Sequence, residues 1–136
     1  DAKTLYVADT LVGAIYAYDF DVELGAIANR RVFAAPEGCG FPDGCTVDAE
    51  GYLWNARWEG GCVLRFAPDG SIDRKVDVPA SRVTCCAFGG PDLATLYITS
   101  SRLHLTVEDL SNQPQAGGLF AVRPGVSGVR PTQFAG

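Results

Sequence analysis

The sequence predicts an all-β fold built from a repeated hairpin unit, and three observations carry that prediction. Two apolar-aromatic runs, Leu5-Tyr6-Val7-Ala8 and Gly13-Ala14-Ile15-Tyr16-Ala17-Tyr18, flank a polar turn, which is the pattern of a β-hairpin. The pair returns as Leu53-Trp54 with Gly61-Cys62-Val63-Leu64-Arg65-Phe66, and again as Leu96-Tyr97-Ile98 with Gly117-Gly118-Leu119-Phe120-Ala121-Val122, at steps of 48 and then 43 residues. Helical periodicity is almost absent. A repeat of this length is that of a four-stranded β-propeller blade, so the chain reads as about three blades.

The remaining strands fall at 31–34, 45–47, 72–76, 84–88 and 132–134, giving eleven in all. The strand missing from three full blades is the innermost one of the first, expected just before Asp1. From Leu5 to Gly13 and from Leu53 to Gly61 the spacing is eight residues, but from Leu96 to Gly117 it is 21, so the third repeat carries an insertion. Within it, Thr106-Val107-Glu108-Asp109-Leu110 predicts a helical turn with Thr106 as N-cap and Pro114 as its stop. Three blades cannot close a ring, since propellers need about four or more to cover their faces and edges. Either the chain is a segment of a longer protein, as its start at Asp1 and lack of Met suggest, or two copies form a homodimer with six blades.

Composition narrows the partners. A 136-residue chain with 47% hydrophobic and 20% charged residues is expected to form one ordered domain. The net charge of −5 and the absence of a Lys/Arg cluster argue against nucleic acid. No run is long enough for a membrane helix, and no targeting segment is present, so a cytoplasmic location is expected. Five cysteines (Cys39, Cys45, Cys62, Cys85, Cys86) without CxxC spacing read as small buried hydrophobes in a reducing compartment. A Cys39–Cys45 disulfide is possible but not indicated, and with His104 as the one histidine the spacing argues against a Cys/His zinc site.

The stretch Phe41-Pro42-Asp43-Gly44 is the chemically suggestive one. Pro42 fixes its own φ and Gly44 permits an unusual one, so Asp43 is expected on a stiff bend at the mouth of the strand 45–47. Asp48-Ala49-Glu50-Gly51 then reads as a tight connection into Tyr52-Leu53-Trp54. Taken alone, Pro-Asp-Gly is a solvated turn.

Together with Val47-Asp48-Ala49-Glu50-Gly51 and Leu53-Trp54, this stretch resembles the most recognisable motif of the regucalcin/gluconolactonase family, which includes the senescence marker protein and the luciferin-regenerating enzyme. Leu5-Tyr6-Val7-Ala8-Asp9-Thr10, Asn29-Arg30-Arg31-Val32-Phe33, Ala87-Phe88-Gly89-Gly90-Pro91-Asp92 and Gln113-Pro114-Gln115-Ala116-Gly117 follow in the family's order. The resemblance covers nearly the whole chain and implies that residues 1–136 are the C-terminal half of a six-bladed β-propeller. It also implies hydrolysis of a sugar lactone with one divalent cation (calcium, magnesium, manganese or zinc) held by a Glu, an Asn and an Asp. That Asp corresponds to Asp43, as metal ligand and catalytic group; the Glu and Asn would lie before Asp1. The competing reading is a noncatalytic half-propeller that binds a cation or a protein partner.

Other candidates rank lower. Asp9 reads as a turn carboxylate, and Asp19, Asp21 and Glu23 lack the glycine and distal glutamate of a calcium loop. Tyr52, Trp54 and Trp58 alternate as packing between blades. On the opposite parity, Asn55 departs from the small or apolar residues usual in the family. Arg57 is a substrate-binding candidate whose default is exposure. Thr84 and Cys85 read equally as lining the substrate pocket, one blade on from Asp43, or as core or channel filling without contact, and His104 reads as a surface histidine.

Overall fold

The computed structural model describes residues 3–35 and 39–131. Among these residues ten strands form three antiparallel sheets. The first contains β1 (Thr4–Asp9), β2 (Ala14–Asp21) and β3 (Ala26–Ala34). The second contains β4 (Phe41–Val47), β5 (Leu53–Trp58), β6 (Cys62–Phe66) and β7 (Ile72–Asp77), and the third β8 (Val83–Gly89), β9 (Thr95–Ser100) and β10 (Leu119–Val122). The strand expected at 132–134 lies outside the described residues.

The sequence repeat is realised as a repeat of register. Leu5 pairs with Tyr18, Leu53 with Phe66 and Leu96 with Val122, so one hairpin is built three times. The architecture is all-β and consistent with a propeller. Helix α1 (Val107–Asn112) lies in the insertion between β9 and β10 and starts as expected. Thr106 and Asp109 form a reciprocal capping box, with Thr106 Oγ1 accepting from Asp109 N at 3.1 Å.

Two strands begin several residues earlier than expected. β3 begins at Ala26, because Asp21 Oδ1 accepts from the N–H groups of Glu23 and Leu24 and Gly25 takes φ +62°, which closes the hairpin early. β4 begins at Phe41, so Asp43 does not stand on a bend before the strand but inside it. Pro is tolerated at the start of a strand, and Pro42 pairs with Arg57.

The second sheet is covered on both faces. Ile15 and Ala34 of the first sheet pack with Leu53, Cys62, Leu64 and Phe66. On the other side Trp54, Ala56 and Val63 pack with Val83, Cys86, Leu96 and Ile98 of the third. Strand alternation sorts successive residues of β5 and β6 to these two cores.

A buried carboxylate ties one end of the second sheet. Asp48, 1% exposed, accepts from the N–H groups of Glu50 and Tyr52, each at 3.0 Å, from Trp54 Nε1 at 2.8 Å and from Arg65 Nε at 2.8 Å. Arg65 also reaches Glu50 and Asp73, and its guanidinium lies 3.8 Å over the Tyr52 ring. Burial opposes the charge of Arg65, but the bonds to Asp73, Glu50 and Asp48 outweigh it and raise its pKa. Ala49 N also donates to Ser127 O at 2.8 Å, which joins this turn to the segment after β10.

Asp48→Ala leaves the Arg65 charge buried beside two partly exposed carboxylates, and is expected to destabilise the fold by about 3–5 kcal/mol in urea denaturation. Glu50→Gln removes a half-exposed partner and is expected to change stability by no more than about 1 kcal/mol. Equal effects would contradict this ranking.

Candidate functional site

The candidate site lies where β4 and β8 carry the same irregularity. In β4, Pro42 pairs with Arg57 and Cys45 with Asn55, so Asp43 and Gly44 together oppose the single residue Ala56. In β8, Val83 pairs with Ser100 and Cys85 with Thr99, which leaves one extra residue at the corresponding level. Such bulges re-aim a side chain out of the regular pleat. Asp43 and Thr84 are each carried on one.

Gly44 brings the two strands together. Its φ is not in the left-handed region, contrary to the expectation from sequence; what it supplies is space. A Cβ here would stand 2.5 Å from Cys85 Sγ and 2.8 Å from the carbonyl oxygen of Thr84. The structure therefore brings Asp43, Thr84 and Cys85 into one neighbourhood. Thr84 Oγ1 shares a 2.8 Å hydrogen bond with Thr99 Oγ1, and Cys85 is exposed.

The Asp43 carboxylate is partly exposed, and among the described residues no basic side chain forms an ion pair with it. Burial pushes its carboxyl up, while the N–H of Gly44 donated to it pulls the other way. Its chemistry fits a hard cation, which prefers oxygen donors and would supply the missing positive charge. Among the described residues no group of three His, Cys, Asp or Glu side chains stands together.

Arg57 is not where its residue type suggested. It is 1% exposed, and burial pulls its pKa down. Its Nε donates to Cys39 O at 2.9 Å, Nη2 to Gly40 O at 2.9 Å and Nη1 to Asn55 Oδ1 at 3.1 Å. Asn55, fully buried, donates from Nδ2 to the carbonyl oxygen of Asp43 at 2.7 Å. The sequence singles out both positions, Asn55 as a departure and Arg57 as an exposed candidate, but does not show that they meet. Their alternation in an apolar run was the available signal.

The weaker candidates lie apart. Asp9 Oδ1 accepts from Val12 N at 3.0 Å, as a turn carboxylate does. Asp19 is bound by Asn29 at 2.7 Å and Arg31 at 2.8 Å on the exposed face of the first sheet. Trp54 packs edge-on against Phe88, Trp58 lies under the Arg82 guanidinium, and His104 is exposed in the insertion with φ +58°.

Comparison with known proteins connects this geometry to a family. The model of the SMP-30/gluconolactonase/LRE-like region matches residues 1–102. Regucalcin from Danio rerio is 41% identical over 139 residues, covering 100% of this chain and 47% of that protein. Pentonolactonase XacC from Haloferax volcanii is 46% identical over 102 residues, covering 74% of this chain and 35% of that protein. The crystal structure of a calcium-binding protein, regucalcin, from Agrobacterium tumefaciens superposes with a TM-score of 0.89 at 37% identity, over 95% of this chain and 44% of that one. The chain thus spans about half the length of the curated relatives it matches.

Two measurements test the placement of these residues. Gly44→Ala is expected to force β4 and β8 apart and destabilise the fold by about 1–3 kcal/mol in denaturant titration; a neutral change would contradict the close approach. Iodoacetamide at neutral pH is expected to label exposed Cys85 first. Buried Cys62, whose thiol burial pushes up to about 12, and buried Cys86, pushed up likewise, should stay unlabelled until unfolding. Mass spectrometry of digests reads the order, and prior labelling of Cys86 would contradict it.

Proposed function

The chain belongs to the SMP-30/gluconolactonase/LRE-like family, and on that premise we propose that it is the C-terminal half of a six-bladed propeller that hydrolyses a sugar lactone with one divalent cation. The three sheets are then blades, and β4 and β8 are the inner strands of the second and third. Asp43 is the cation ligand that this half contributes. The observation that carries the reading is the contrast between two carboxylates of one hairpin: buried Asp48 is matched by Arg65, whereas Asp43 stands on a bulge at an inner strand with no basic partner among the described residues.

The chemistry follows from the side chains. A divalent cation, when bound, supplies Lewis-acid polarisation of the ring ester carbonyl. Asp43 gives one anionic oxygen toward holding it. Thr84, whose hydroxyl already exchanges a hydrogen bond with Thr99, can offer a donor or acceptor to a lactone hydroxyl, and Cys85 forms the adjoining wall. Arg57 is no longer a candidate for direct substrate contact, because it is buried and bonded to Cys39, Gly40 and Asn55. The names of the lactonase relative and of the calcium-binding neighbour support the substrate class and a hard cation.

A further observation concerns what covers the first sheet. Leu5 and Val7 of its edge strand β1 are 38% and 40% exposed, which favours a neighbour there. That neighbour is the remainder of the propeller, with a second copy completing six blades as the alternative. No helix among the described residues is long and apolar enough to cross a membrane, and the five unpaired cysteines support a reducing, cytoplasmic setting.

In the complete protein, Asp43→Asn is expected to lower hydrolysis of gluconolactone by at least about 100-fold, exceeding what loss of an outer-shell partner does, and to weaken binding of calcium or manganese. The unfolding temperature without metal should stay near that of the parent. Retained turnover with normal metal content would sink the assignment.

A further inference from the structure

The least expected groups in the core are the side chains of Asn55 and Arg57. Both lie on the face of β5 that Leu53 presents to the first core, in a strand otherwise made of Leu53, Trp54, Ala56 and Trp58. Burying a guanidinium is unfavourable unless its donors are used, and an apolar pair would often serve stability as well or better. Among the described residues Arg57 has no carboxylate partner. Its donors go instead to two backbone carbonyls just before β4 and to one side chain.

Those bonds form a connected line. Arg57 holds Cys39 O and Gly40 O, each at 2.9 Å, and Asn55 Oδ1 at 3.1 Å; Asn55 holds Asp43 O at 2.7 Å. The chain from Cys39 to Asp43 is thus tied to β5 at both ends, with the bulge at one of them. The tied segment is also tightly seated. A Cβ on Gly40 would stand 2.3 Å from Trp58 O, and one on Gly60 would stand 2.7 Å from Arg57 Cβ and 2.8 Å from Cys39 O. The bulge residue that carries the partly exposed carboxylate has its own carbonyl fixed by a buried, pre-oriented amide.

We propose that Asn55 and Arg57 are positioning residues for the cation site, fixing the Asp43 bulge so that its carboxylate is held in the geometry that binds the metal; this rests on the reading of Asp43 as a ligand. Neither side chain touches the cation or the lactone. Arg57 acts through Asn55 and the carbonyls of Cys39 and Gly40, and Asn55 acts on the backbone of Asp43.

The test uses the complete protein, with calcium and manganese alone as probes. Isothermal titration of Asn55→Leu and of Arg57→Met is expected to give a Kd about 10- to 100-fold above the parent in the folded fraction, the range seen when outer-shell partners are lost. Gluconolactone turnover should recover toward the parental kcat at saturating cation. A role confined to the core would lower the unfolding temperature and leave Kd unchanged, and that result overturns the proposal. Asp43→Asn separates the two levels. If it binds the cation with parental Kd, the ligand reading fails and the proposal falls with it; if it loses the cation while folded Asn55→Leu does not, the positioning role alone fails. Should the variants not fold, the parent protein decides. Titration with calcium is expected to displace the side-chain amide resonances of Asn55 in nitrogen-15 spectra, and no displacement overturns the proposal.

Discussion

A sheet covered on both faces has no water within reach of its interior, so every polar group placed there must find its partner inside the protein. The second sheet is in that position. Its central strands β5 and β6 are buried nearly end to end between the two cores, yet they carry Asn55, Arg57 and Arg65. Each of these side chains is satisfied, and the manner of satisfaction decides the local backbone. Arg65 draws in Asp48, Glu50 and Asp73 and so fixes the turn after β4. Arg57 and Asn55 draw in carbonyls and so fix its start. β4 is thereby held at both ends by side chains from its neighbours.

The two clamps differ in what they leave over. At the Asp48 end charge meets charge, and the carboxylate has no capacity to spare for a ligand: it accepts from two backbone N–H groups, an indole and a guanidinium. At the Asp43 end the clamp grips only the main chain. The guanidinium is used on neutral carbonyls, and the carboxylate remains partly exposed. On the proposed reading of Asp43 as a cation ligand, an arginine holding the carboxylate would compete with the cation for the same charge, and a grip on its backbone orients it without that competition.

Much of this was legible in the sequence, and what was not has a common cause. The hairpin repeat was visible because apolar spacing and glycine placement are local, and Leu5, Leu53 and Leu96 take equivalent registers. The capping box at Thr106 was visible for the same reason. The resemblance directed attention to Asp43, but the dipeptides around it suggested a bend, because Pro and Gly usually mark turns; the pairing of Pro42 with Arg57 that makes β4 continuous is set by a residue 15 positions on. Arg57 was expected at the surface because arginines usually are. Its burial depends on carbonyls 17 and 18 residues earlier, and that of Asp48 on Arg65, 17 residues later. Local patterns gave the strands, and non-local partners gave the polar interior.

The repeat also explains how one scaffold supports unequal chemistry at equivalent points. β4 and β8 have their irregularity at the same level, where Cys45 and Cys86 occupy matching registers opposite Asn55 and Ile98. The geometric device is therefore shared, but its cargo is not: a carboxylate at Asp43, a hydroxyl at Thr84. The supporting residue changes with it. Under Asp43 lies Asn55, which donates to its carbonyl, whereas the corresponding position of the third sheet is Ile98, buried in an apolar core, and Thr84 is steadied instead by Thr99 on the same sheet. A hydroxyl that is satisfied by one neighbouring hydroxyl does not need its backbone fixed from below. On the proposed reading of Asp43 as a cation ligand, its lone pairs must stay free, and the polar pair in β5 answers that need at the expense of a less apolar core.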